Sequence, residues 1–117
     1  MTRLYISGPV TGIEDNNREA FKEARRKLWY EHKGYIADIP HDFVEEGTPH
    51  DEAMAVLLNR LTDRTYSYRK GKLANLYDGV ALLPGWEQSE GAKLEKAVAE
   101  ACGIPVKTVD KWLEEAR

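Results

Sequence analysis

The stretch LLPGWEQSEGAKLE, residues 82–95, decides how the chain is read, because its periodicity changes halfway along. At its head, Val80, Ala81, Leu82 and Leu83 form the short continuous apolar run that a strand buried on both faces shows. Pro84-Gly85 ends that run. Ser89 then offers a helix cap, and apolar positions at helical spacing continue from 89 to 102, where Gly103 closes the helix. Strand, turn and helix in that order make half of a βαβ unit.

Working outward, the alternation repeats. Residues 3–7 (RLYIS) read as a buried first strand that exits at Gly8-Pro9. Asn16 can cap a helix with Glu19 bonding back to it; Phe21, Ala24 and Leu28 follow at helical spacing, and Gly34 ends the run. Residues 35–39 (YIADI) predict a second strand, stopped by Pro40, and 41–47 an acidic exposed loop. Thr48-Pro49 reads as a cap followed by proline at the first helical position, with Met54, Leu57, Leu58 and Leu61 as the buried stripe. Leu73, Leu76 and Tyr77 predict one more short helix; 80–83 is the third strand, 105–109 the fourth, and the tail a small helix carrying Trp112. The expectation is one α/β domain over 1–117. It has a parallel sheet of four to five strands in order 2-1-3-4, helices on both faces and right-handed crossovers. In that order the exits of strands one and three adjoin at the switch point, where open α/β sheets bind ligands.

Composition narrows the partners. Apolar residues make up 42% and charged residues 32%, with both signs interspersed and a net charge of -3, so neither nucleic acid nor membrane is expected as a partner. Cys102 is the single cysteine, which excludes an internal disulfide and suits a reducing cytoplasm. The start, MTRLYISGP, carries no long apolar segment, so the chain reads as cytoplasmic and unprocessed. No cofactor is implied. His41, Asp42, Glu45, Glu46, His50, Asp51 and Glu52 follow no metal-ligand spacing and read as a solvated loop, so no metal is expected either. The cations Arg64, Arg69, Lys70 and Lys72, interleaved with Tyr66 and Tyr68, could meet phosphates, although such runs are more often solvated surface.

On the helix from Ser89, each residue turns the direction by about 100°. Leu94, Ala97, Val98 and Ala101 then share a core side, and Lys93, Lys96 and Glu100 a solvated side. Glu95 falls on the flank between them with Ala92, Ala99 and Cys102, and Gly91 one turn earlier leaves room for a ligand to approach its carboxylate. A boundary carboxylate on an amphipathic helix is the plainer reading; the cleft at the switch point is what favours a pocket-lining one. Glu90 suits the helix dipole, and Glu87 reads as loop. Ser89 is a cap whose hydroxyl, with the free backbone N–H groups, can also hold a phosphate. Trp86, a large ring in a turn, reads either as a base-stacking group or as an oligomer contact.

YISGPVTG near the start, with DGVALLPGWEQSEGAKLEKAVAEACGIPV later, resembles a family of small phage and bacterial proteins related to the nucleoside 2-deoxyribosyltransferases and nucleoside-monophosphate N-glycosidases. The similarity covers both ends of the chain better than its middle. The resemblance implies a flavodoxin-like sandwich in which a helix-borne glutamate, here Glu95, attacks the anomeric carbon of a nucleoside or nucleoside monophosphate. It also implies that Tyr5 lies near the nucleophile, that Ser7 and Gly8 face the sugar, and that Ser89 contacts phosphate. Asp78 matches the strand-three aspartate of the relatives. A second aspartate expected eight residues before Asp78 is replaced by Lys70, with Asp63 as the candidate substitute; if neither serves, the protein binds nucleotide with weak or no turnover. The relatives build their sites at subunit contacts, which implies a homodimer or larger assembly.

Overall fold

The computed structural model describes residues 2–31 and 34–115. Four strands form a parallel sheet: β1 (Thr2–Ser7), β2 (Tyr35–Asp38), β5 (Gly79–Leu82) and β6 (Val106–Thr108), in spatial order β2-β1-β5-β6. Two further strands, β3 (Arg64–Ser67) and β4 (Lys72–Asn75), pair only with each other as an antiparallel hairpin outside that sheet. The expected order 2-1-3-4 becomes 2-1-5-6, because the hairpin adds two strands to the chain ahead of those expected third and fourth, which keep their places beside β1. Residues 64–75 form a hairpin turning at Gly71 (φ 68°), and no helix forms at Leu73–Tyr77.

The alternation in β1 divides the core. Leu4 and Ile6 point to one face, where they meet Phe21, Ala24 and Leu28 of α1 (Arg18–Tyr30) and Val109, Trp112 and Leu113 of α4 (Val109–Glu115). Tyr5 points to the other, with Leu61 of α2 (His50–Leu61) and Ala99 of α3 (Glu90–Ala101). Gly79 makes room for the first layer: a Cβ there would lie 2.2 Å from Trp112 Cζ2, and the Trp112 indole N–H donates to Val80 O at 2.8 Å.

Three sequence expectations change in detail. α1 starts at Arg18 rather than after Asn16, because Asp15, Asn16 and Asn17 all adopt left-handed backbone (φ 51°, 52° and 60°), which Asn and Asp tolerate better than other side chains. Its cap, Asn17, instead donates its side-chain N–H to Pro9 O at 2.9 Å. α2 begins one residue late with Pro49 as its cap, while the Thr48 hydroxyl donates to Glu45 O. On α3 the buried positions are Ala92, Glu95 and Ala99, whereas Leu94 is 45% exposed and Ala97 and Ala101 are exposed. The core side of α3 is therefore the flank assigned to Glu95, and the leucine expected inside points out.

Candidate functional site

Tyr5 and Ser7 are two residues apart on β1, so both side chains rise from the same face of the sheet, toward α3. There they meet Glu95. The Ser7 hydroxyl donates to one carboxylate oxygen at 2.7 Å and the Tyr5 phenol donates to the other in a short hydrogen bond. Tyr5 and Ser7 are fully buried, and Glu95 is 3% exposed. Burial pushes the Glu95 carboxyl up to about 7, against the two donors, which favour its charged form. Tyr5 is raised well above the ordinary tyrosine value, by burial first and then by the Glu95 charge, so it stays a phenol and a donor across the working pH range.

Glu95 forms part of the wall of a cavity of about 370 Å³ at the C-terminal edge of the sheet. Gly8, Ser89 and Gly91 line it too, so the exits of β1 and β5 meet as a switch point requires. Two close approaches keep those exits together. A Cβ on Gly8 would sit 2.8 Å from Leu83 Cβ, and Gly85, at φ 89°, lies against Pro9. The Ser89 hydroxyl accepts from the Ala92 N–H at 3.1 Å, and the N-terminus of α3 opens onto the cavity. Gly91 does more than clear space for a ligand: a Cβ there would be 3.3 Å from Met54 Sδ, so its bareness also lets α2 close against α3.

Two residues expected at the site lie elsewhere. Asp78 is at the N-terminal start of β5, where its carboxylate accepts from the Arg3 N–H at 2.9 Å and its own N–H donates to Arg3 O. That is the edge opposite Glu95, so Asp78 fastens β5 to β1 and does not face the cavity. Trp86 does not line the cavity either; it is half-buried against the core layer of Tyr5, with the Lys96 ammonium 5.7 Å from its ring centre. Lys70 and Asp63 also lie away from the cavity, on the hairpin turn and at its base. Asp38 is the buried acid of the sheet, accepting from the Tyr77 hydroxyl at 2.6 Å and from Arg3 Nε at 3.2 Å, and the Tyr77 ring stands edge-on to Tyr5 at 5.5 Å.

The remaining wall combines the stretch read as a polar loop with residues read as helix or turn. Asn16, Arg18, His41, His50 and Met54 border the cavity with Gln88, and Glu45 and Glu46 stand at it as exposed acids. His41 Nε2 lies 2.8 Å from Asn16 O; a carbonyl only accepts, so Nε2 carries the proton and Nδ1 is left buried without a hydrogen-bond partner among the described residues. The signal that could have placed this loop was Pro40, which ends β2 at the same edge of the sheet as Gly8 and Ser89. No group of three or more potential metal ligands occurs among the described residues, and no helix among them is long and apolar enough to cross a membrane.

No curated protein and no solved structure matches the chain. A family model does match residues 2–108, nearly the whole length, and the chain belongs to the family described as "Domain of unknown function (DUF4406)".

Proposed function

We propose that this chain is a nucleoside or nucleotide N-glycosidase, or a 2-deoxyribosyltransferase-like enzyme, of flavodoxin-like fold, with Glu95 as its nucleophile. The observation that carries the proposal is a buried glutamate in a cavity wall, held by two hydroxyl donors and with its acidity brought near neutrality. Structural glutamates are seldom buried without a cationic partner, and here neither donor to the carboxylate is a cation.

In the proposed reaction a Glu95 oxygen forms a bond to the anomeric carbon as the C–N bond breaks, and that bond's electron pair leaves on the base nitrogen, which takes up a proton. The oxocarbenium character of the passage is stabilised by the carboxylate and then trapped as a glycosyl ester. Water, or a second base, attacks the same carbon and returns Glu95 as carboxylate. Tyr5 and Ser7 hold the carboxylate in place for attack, and the Ser89 hydroxyl with the α3 N-terminus is suited to a substrate phosphate. The assembly is proposed to be a homodimer or larger.

A second reading is a nucleotide-binding protein of the same cleft with little or no turnover. It is favoured by the location of Asp78, Lys70 and Asp63, none of which lines the cavity as a partner acid. The test incubates wild type and Glu95→Ala with a panel of nucleosides and monophosphates, following free base by chromatography and binding by calorimetry. Release by wild type alone supports the enzyme. Binding by both proteins with release by neither overturns it in favour of the second reading.

A further inference from the structure

We infer that the hairpin of β3 and β4 is a contact surface for single-stranded nucleic acid, separate from the Glu95 cavity. Its twelve residues, 64–75, read RTYSYRKGKLAN: four cations and no acid in a chain whose net charge is -3. Composition averaged over the whole chain hides that concentration. Elsewhere in the described chain, cations are neutralised by neighbouring carboxylates, with Lys22 and Lys27 as the exceptions. On the hairpin Arg64 is occupied by Asn75 Oδ1 and Leu73 O, and Arg69, Lys70 and Lys72 make no ion pair to a described residue. Three unpaired cations thus surround one turn.

The same element exposes its aromatic and apolar groups. Tyr68 is 91% exposed, Tyr66 is 51% and its cross-strand partner Leu73 is 58%. The two tyrosine rings meet edge to face at 5.0 Å, which leaves the Tyr68 ring free to take a base. Rings standing among unpaired cations match a polyanion whose flat bases are unstacked; a duplex hides its base faces, whereas a single strand offers them. The hairpin forms a sheet of its own, tied at its base by the Leu76 N–H donating to Asp63 O and by the Asn75 side-chain N–H donating to Cys102 O. Cys102 follows the C-terminus of α3, so this anchorage is at the other end of that helix from Ser89 and the cavity.

The test measures anisotropy of a fluorescein-labelled 20-nucleotide oligothymidylate, and of a duplex of equal length, with the full chain across a salt series. The expectation is micromolar or tighter binding of the single strand, with log K falling against log salt at a slope of about -2 to -3, as three or four neutralised phosphates require. Tyr68→Ala is expected to weaken binding about tenfold at unchanged slope. Arg69→Glu with Lys70→Glu is expected to lower the slope by about one or more. Glu95→Ala is expected to bind as wild type does, which keeps this outcome separate from that of the glycosidase proposal. No binding at micromolar protein, binding insensitive to the hairpin variants, or preference for duplex would each overturn the inference. So would self-association in sedimentation that these variants abolish, because the hairpin would then serve a second copy of the chain.

Discussion

Glu95 sits where its charge is costly to the fold. Burial raises its pKa in the folded state to about 7 from an ordinary 4.5, so its contribution to stability is full below about 4.5 and is lost as pH rises through 7. Glu95→Gln keeps the shape and removes the buried charge. It is expected to stabilise the protein at pH 8 by about 1–3 kcal/mol, and by roughly a quarter of that at pH 5, in urea unfolding at the two pH values. The same variant should lose base release by on the order of a thousandfold or more if Glu95 is the nucleophile. Tyr5→Phe removes a donor that favours the carboxylate, so the proposed base release, which needs Glu95 ionised, should begin at higher pH; an unmoved midpoint would show that the Tyr5 bond does not tune Glu95. Of the site, Glu95 was legible because its helix carries small residues on one side, whereas Tyr5 and Ser7 followed from the family resemblance and not from the pattern of the strand itself. Asp78 was placed at the site by the resemblance alone, whereas its position just before β5 puts it at the opposite edge of the sheet, which no local pattern of residues reveals.

At the scale of elements, the close contact between β5 and α4 is the most sensitive joint. Gly79→Ala forces a methyl into the Trp112 ring and within 3.0 Å of Leu4 Cδ2, and both neighbours are buried. A loss of about 1–3 kcal/mol is expected from overpacking, with a change in tryptophan fluorescence as the ring is displaced; unchanged stability would mean that α4 can retreat. The strands of the parallel sheet and helices α1 to α3 were legible in apolar runs and their stops. The hairpin was not: its strands are exposed on both faces, so they lack the alternation that identifies a half-buried strand, and Leu73, Leu76 and Tyr77 imitate helical spacing. Likewise Leu94 points outward because the turn of α3 is fixed by Glu95 meeting β1, not by the largest apolar residue.

For the molecule as a whole, Leu94 on α3 and Val56 on α2 leave apolar side chains on the outside, each 45% exposed. Light scattering is expected to give a multiple of the 13.3 kDa chain mass, and a monomer at working concentration would exclude the proposed assembly. Such exposure was not legible in the sequence, because an exposed leucine and a buried one obey the same helical pattern. The burial of Glu95 reaches beyond the cavity. Near pH 6 the unfolded chain carries this glutamate mostly as carboxylate and the folded chain carries it mostly as acid. Folding at that pH therefore draws about one proton out of solution at this single position. The heat released on refolding should differ between buffers of different ionisation enthalpy by that proton's worth, and Glu95→Gln should erase this part of the difference.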